Sequence, residues 1–353
     1  MTTIGLAPPS LAALADHVET RIDTLLGAEH DRWKTVDDAL DEPYAALRAF
    51  ITGGKRLRPA FCHWGFVGAG GSPAEPAVVD AGAALELLHI FALIHDDVMD
   101  GSLRRHGLPC VHVDFAERHR RRGWHGESRR FGDGAAILAG DLAFVYADML
   151  VRELPAAARA VFDELRLEVN VGQYLDLVTT ASRAVSVEAA HKICVYKSGK
   201  YTIERPLHLG AALAGRLDEL AGPYTRYGLP LGEAFQLVDD LLGAFGDDDR
   251  LGKAVGEDLR EGKPTALYAL ARQRARGAEA TLLETRVGQP DLRPEEVTAI
   301  QEVLTATGAR ATVEATIGAL VTESLAALAE APISGEARAE LTALAHFVAG
   351  RDY

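Results

Sequence analysis

Residues 74–99 leave almost no polar face. Val78, Val79, Ala84, Leu85, Leu87, Leu88, Ile90, Phe91, Leu93 and Ile94 cover nearly every side of a helix in this stretch. A helix that is apolar all round is stable only when other helices surround it. Much of the remaining chain keeps the same period. Leu217, Leu220, Tyr224, Tyr227, Leu231, Ala234, Val238 and Leu241 follow it, as do Val313, Ile317, Leu320, Val321, Leu325 and Leu328. Strand signals are almost absent. The pattern predicts an all-α fold in one domain, 10–353, behind a loose arm at 1–9. Breaks are expected at 68–73, 120–134, 246–264 and 288–294, and Pro223 and Pro230 are expected to kink or break their stripe.

The chain has 353 residues with 37 basic and 51 acidic side chains, a net charge of -14. That balance excludes a general nucleic-acid binder, which needs a basic footprint. It also means that an anionic substrate must be held by a local group of cations against the overall field. Cys62, Cys110 and Cys194 are far apart and form no CxxC pair. They predict a reduced, cytoplasmic chain without a disulfide framework. No basic segment followed by an apolar run opens the sequence, so no signal peptide is expected. No run of 18 uncharged apolar residues is evident, so no membrane span is expected.

The apolar stretch ends in "LIHDDVMDGSLRRHGLP", residues 93–109. Asp96 and Asp100 are four apart and share one helical face, with Asp97 beside them. Carboxylates on a last turn oppose the helix dipole and repel one another. Such an arrangement calls for a compensating cation. Mg²⁺ is the natural one, a hard ion bound through a few carboxylates and shared with substrate phosphates. Alone, the cluster would read as an acidic surface turn. A second pair, Asp239 and Asp240, ends another apolar stripe in "FQLVDDLLGAFGDDD". Together the pairs predict two acidic walls facing one cavity, able to hold a diphosphate through metal ions.

The cations are grouped too. "GGKRLRP" brings Lys55, Arg56 and Arg58 after Gly54, a residue that lets backbone approach an anion. Arg104, Arg105 and His106 follow the first acids. "YKSGKYT" adds Lys197, Ser198 and Lys200, and "GKAVGEDLREGKPT" adds Lys253 and Lys263. Cations beside glycines around both acidic pairs point to phosphate binding. The basic segment 118–130 reads as a solvated surface loop; the competing reading is a cover over an anionic ligand.

These motifs, with "GQYLDL", stand in the order found in trans-isoprenyl diphosphate synthases, which the chain resembles over roughly residues 50–270. It is most similar to actinobacterial short-chain synthases of the geranylgeranyl type. The resemblance implies an isoprenoid-synthase-type helical bundle around a central cavity, a homodimer, and three Mg²⁺ per active site. It implies condensation of isopentenyl diphosphate with dimethylallyl, geranyl or farnesyl diphosphate. By motif, Asp96, Asp100 and Asp239 would ligate metal, with Asp97 and Asp240 in support. Lys55, Arg58 and His89 would bind isopentenyl diphosphate, and Lys197 and Lys253 the allylic diphosphate. Gln173, Gln236 and Lys263 would stand near the same cavity. Alternatives are a class I terpene cyclase and a non-catalytic partner subunit. A cyclase would lack "GGKRLRP" and carry an Asn/Asp-x-x-x-Ser/Thr-x-x-x-Glu motif that is not found near Asp239.

In such synthases the floor of the chain pocket lies just before the first acidic motif. Phe91 is about 7.5 Å along the helix axis from Asp96, and the small Ala92 shares the face of Asp96. An aromatic there, with no insertion in the motif, implies a C20 product, with C15 next.

The chain departs from the family pattern twice. The third acid of the second motif is replaced by Gly243, and the second of two arginines before Gly-x-Pro is replaced by His106. His106 titrates where arginine does not. Affinity for isopentenyl diphosphate is therefore expected to fall as pH rises through about 6.5. A Michaelis constant that stays flat across that range would contradict this role.

Overall fold

A computed structural model describes residues 7–51, 54–105, 107–246, 256–289 and 291–350. About four-fifths of them are helical. In chain order the helices are α1 (Pro9–Trp33), α2 (Asp41–Arg48), α3 (Leu57–Gly68), α4 (Pro76–Asp100), α5 (Val111–Arg121), α6 (Ser128–Val151), α7 (Ala156–Ser182) and α8 (Val187–Ile193). A π-helical segment, Cys194–Glu204, joins α8 to α9 (Arg205–Leu213) and is followed by α10 (Leu217–Phe245). Six shorter or peripheral helices complete the bundle: α11 (Glu257–Glu261), α12 (Ala266–Arg274), α13 (Gly277–Arg286), α14 (Pro294–Ala306), α15 (Ala309–Glu330) and α16 (Gly335–Ala349). A two-residue hairpin pairs Arg104–Arg105 with Leu108–Pro109.

The apolar helix of the sequence is α4. Leu85, Leu87, Leu88 and Ile94 are buried against Ile22 and Leu26 of α1, Ala143 and Tyr146 of α6, and Phe162 of α7. Burying each such leucine contributes about 1.5–3 kcal/mol. A second core joins the C-terminal half of α10 to α12–α15 through Val238, Leu241, Leu283, Ile300 and Val313. A third places Phe61 and Trp64 of α3 against Tyr224, Tyr227 and Leu341. These cores hold the C-terminal ends of α4 and α10, where the acids stand, on the rim of one cavity.

Two local expectations are corrected. α10 runs unbroken through Pro223 and Pro230. Its Tyr224 donates to the Gly65 carbonyl at 2.9 Å and Tyr227 to that of Leu341 at 2.7 Å, so packing outweighs the hydrogen bonds the prolines remove. The break expected at 120–134 is short, because α6 already begins at Ser128. Gly132 there permits close packing and makes no turn: a Cβ on it would lie 2.2 Å from the His112 carbonyl oxygen. By length and composition α4, α6 and α15 each meet the criterion for a membrane span, contrary to the reading above. In α4, 61% of that window is buried inside the bundle.

Arg56, grouped by sequence with Lys55 and Arg58, has a structural setting. It is 5% exposed and adopts a left-handed φ of 46°, which is costly for a residue with a side chain. Its guanidinium lies 2.5 Å from Glu86 of α4 and 3.0 Å from Glu19 of α1, and it donates to the Ile51 carbonyl. Glu86 is itself 3% exposed. Removing one member of a buried pair strands the other charge. Glu86→Ala is expected to lower stability by about 3–5 kcal/mol in denaturant unfolding; a loss below about 1 kcal/mol would contradict this assignment.

Candidate active site

A cavity of about 1530 Å³ opens among α2, α3, α4, α7, the π segment and α10. It brings together Gly54, Lys55, Arg58, His89, Phe91, Ala92, Asp96, Arg105, Gln173, Lys197, Ser198, Gln236, Asp239, Asp240 and Lys263. These positions span more than 200 residues of chain and reach one cavity through helix packing.

On the first wall, Asp96 accepts from Lys197 Nζ at 3.0 Å and from Gln173 Nε2 at 2.9 Å. Burial alone would raise its pKa, but Lys197, Lys263 and Arg105 lower it to about 2. Asp97 is buried and turned away from the lining, held by both arms of Arg105 at 2.7–3.0 Å. Asp100 lies one turn further on, 4.0 Å from Lys263 Nζ. Burial and the neighbouring Asp96 charge push its pKa up to about 7. The two partly buried acids on one face of α4 are thus held differently: the cations around Asp96 keep it ionised, while burial and the Asp96 charge raise Asp100 to about 7.

Lys197 bridges Asp96 and Asp176, the latter at 2.6 Å. It stands in the π segment, whose wider turn sits directly on α7. Gly172 of α7 permits that approach, since a Cβ on it would be 2.3 Å from the Lys197 backbone nitrogen. Burial disfavours the Lys197 charge, yet Asp96 and Asp176 raise its pKa overall.

On the second wall, Asp239 and Asp240 line the cavity from within α10, which runs on past them to Phe245. Gln236 donates to Asp240 at 2.8 Å and is hydrogen-bonded to Ser198. Burial, followed by the charges of Asp258 and Asp239, raises Asp240 to about 7, against the opposing Gln236 bond. Lys263 lies 2.9 Å from Glu261 and 3.3 Å from Asp258, and spans toward Asp100 of the first wall. These acids hold its pKa well above the ordinary lysine value despite burial.

Arg58 lies over the Tyr201 ring at 4.2 Å and donates to Thr202 at 3.1 Å. Its Nε and the Tyr201 hydroxyl are buried without a hydrogen-bond partner, two polar atoms suited to a ligand in the cavity. Burial raises the Tyr201 pKa to about 12, so its hydroxyl remains a donor. His89 lines the cavity with its ring 6.1 Å from that of Tyr201.

Arg104 is exposed, lies outside the cavity lining, and donates to the Gly107 carbonyl. His106 and Lys253 lie outside the described residues. In the basic segment, Arg118 lines the cavity paired to Asp114 at 2.7 Å, while Arg120 pairs with Glu117 and Arg122 with Glu42. Trp124 and Phe131 pack on His119, Arg122 lies over the Trp124 ring and Arg118 over that of Phe115. Asp176, Tyr201, Thr202, Asp258 and Glu261 were missed as site residues. Each lies inside or beside a quoted motif, and Asp176 shares a helical face with Gln173 three residues earlier.

Among the described residues no three His, Cys, Asp or Glu side chains converge tightly enough to hold a metal by themselves. The donors are carboxylates, which suit Mg²⁺, and an ion there would complete its shell with water or phosphate oxygens. Asp100 must lose its proton before it ligates. Below about pH 7 it is protonated and above it ionised, so Mg²⁺ binding tightens as pH rises. Calorimetric Mg²⁺ titrations are expected to show about tenfold weaker binding at pH 6 than at pH 8; equal affinities would contradict the assignment.

Comparison with known proteins agrees with this geometry. The polyprenyl synthetase family profile matches residues 40–304. A crystal structure of geranylgeranyl pyrophosphate synthase from Corynebacterium glutamicum, complexed with isoprenyl diphosphate and magnesium, superposes with a TM-score of 0.92 at 39% identity. It covers 96% of this chain and 99% of that one. The short chain isoprenyl diphosphate synthase of Methanothermobacter thermautotrophicus is 33% identical over 70% of this chain and 74% of its own length. The (2E,6E)-farnesyl diphosphate synthase of Mycobacterium bovis is 30% identical over 99% of this chain and 93% of its own. The chain belongs to the polyprenyl synthetase family and is a prenyltransferase that makes prenyl diphosphates.

Proposed function

We propose that the protein condenses isopentenyl diphosphate with an allylic diphosphate and releases mainly the C20 product, geranylgeranyl diphosphate, with C15 farnesyl diphosphate next. The observation that carries this reading is the polarity of the cavity. Two acidic helix ends and their lysines stand at one side, and Phe91 and Ala92 line it further along α4. Farnesyl, geranyl and dimethylallyl diphosphate are the primers of this reading.

Asp96 and Asp100 on one wall and Asp239 on the other would hold Mg²⁺, three ions by family resemblance, with Asp97 and Asp240 as supports. Bound there, Mg²⁺ supplies positive charge to a departing diphosphate. Lys197, Lys263 and the Gln173 and Gln236 amides orient the acids and the allylic diphosphate. Gly54, Lys55, Arg58 and His89 receive isopentenyl diphosphate on the α3 side. The apolar surround keeps water from the allylic cation that forms as the C–O bond breaks. The isopentenyl double bond attacks that cation, and loss of one proton restores a double bond in the lengthened chain. Fixed charges aimed at the leaving group do most of this work.

A second copy of the chain is the natural cover for an exposed apolar strip. Leu167, Val171, Tyr174 and Val178 run along α7 at steps of four, three and four and are all exposed, as are Leu138 and Val145 of α6. The reading is a homodimer acting in the cytoplasm.

Phe91 lines the cavity with its ring 4.9 Å from Phe144 and 4.5 Å from His95. As the floor of the chain pocket it stops elongation at C20. Incubation with isopentenyl and farnesyl diphosphates, followed by mass spectrometry of the dephosphorylated products, is expected to give C20 from the wild type and longer chains from Phe91→Ala. An unchanged product distribution in the variant would contradict the floor, and no C20 from the wild type would contradict the product assignment.

A further inference from the structure

Lys200 stands in the "YKSGKYT" motif, whose cations were expected at phosphate, yet it lies outside the cavity lining. It turns instead to Glu168 of α7, where its Nζ meets Oε1. The same carboxylate accepts from Arg205 Nε and Nη2, both at 2.7 Å. Glu168 is 7% exposed and also lies outside the lining. Burial would raise its pKa, but Arg205 and Lys200 lower it overall, so it stays charged.

Lys200 and Arg205 are five residues apart. In an α-helix such residues point about 140° from one another, away from the three- and four-residue spacing at which side chains meet. In a π-helix the bonding period is five residues, so the fifth side chain stacks on the first. The backbone has that period at this pair, since the Arg205 N–H donates to the Lys200 carbonyl. A carboxylate that grips both side chains therefore favours the π winding over the α winding. Elsewhere on the segment the same period groups Lys197 with Thr202, and both line the cavity. Gly172, one turn after Glu168 on α7, admits the Lys197 backbone. An α winding would rotate Lys197 out of its place between Asp96 and Asp176.

We propose that Glu168 is a positioning residue: by joining Lys200 to Arg205 it selects the π winding of residues 194–204, and through that winding it holds Lys197 at the allylic diphosphate. The inference rests on the diphosphate-binding reading above. Glu168 touches no substrate, and Lys200 serves the site from behind its wall.

The test is whether Glu168 acts through Lys197. Binding of geranyl diphosphate with Mg²⁺ is measured by calorimetry without isopentenyl diphosphate, with thermal unfolding of the same proteins as the control for folding. Glu168→Gln keeps the shape and removes the charge, and is expected to weaken binding about tenfold. Lys200→Met is expected to match it. In a Lys197→Ala background the Glu168→Gln change is expected to cost less than about twofold, because the group it positions is gone. Equal losses in both backgrounds overturn the proposal, as does unchanged binding in Glu168→Gln. A loss in Lys200→Met without one in Glu168→Gln also overturns it, since Lys200 would then meet the ligand itself. If Glu168→Gln does not fold, Glu168→Asp, which keeps the charge and shortens its reach, takes its place in the same cycle. Hydrogen exchange at the 194–204 amides is an independent reading, and it decides if Lys197→Ala binds too weakly to titrate. Glu168→Gln is expected to raise exchange there while the middle of α10 keeps its protection; unchanged exchange, or a rise across all helices, overturns the proposal. A wild type that does not bind geranyl diphosphate removes the diphosphate reading and this inference together, whereas wild-type binding with additive variants removes Glu168 alone.

Discussion

Like-charge repulsion at the ends of α4 and α10 is the constraint on which the site depends. Asp96, Asp239 and Asp240 line one cavity and Asp100 stands one turn beyond Asp96 outside its lining; Asp96, Asp100 and Asp240 have strongly shifted pKa values. In a poorly screened cavity such charges repel far more than in water. Lys197 and Lys263 offset this, each placed between acids from different helices. The same feature makes the site a receiver for a polyanion with its cations. Acids that need positive charge accept metal, and lysines attached to them remain at hand for phosphate oxygens.

Backbone packing sets where those lysines stand. The π segment broadens the helix where Lys197, Ser198, Tyr201 and Thr202 meet the cavity. Its contact with α7 leaves no room for a side chain at Gly172. Beneath it, Glu168 of α7 binds Arg205 through two contacts at 2.7 Å and pairs with Lys200. On the opposite side Arg56 ties the loop before α3 to α1 and α4. The cavity wall is thereby fixed by buried ion pairs whose individual members are costly to remove.

Much of this was legible in the sequence. The helical class followed from the apolar period, and α4 was recognisable because a helix without a polar face must be enclosed. The acidic pairs stood out because carboxylates on the last turn of an apolar helix are electrostatically unfavourable without a partner. What was illegible depends on contacts between distant segments. Gly132 reads as a turn residue until α5 is seen against it. Arg56 and Arg58 look equivalent two residues apart, and only the fold sends one to Glu86 and the other over Tyr201. Asp176 carries no spacing signal linking it to Lys197.

The most direct test of the account is a three-way omission experiment on the wild-type protein. Geranyl diphosphate is supplied with Mg²⁺ and isopentenyl diphosphate, and then with each of the two omitted in turn, and consumption and products are followed by mass spectrometry. The account predicts that five-carbon extension occurs only when all three are present, with pyrophosphate released in step with each extension. Conversion of geranyl diphosphate to hydrocarbon without isopentenyl diphosphate, or extension that proceeds without Mg²⁺, would contradict it.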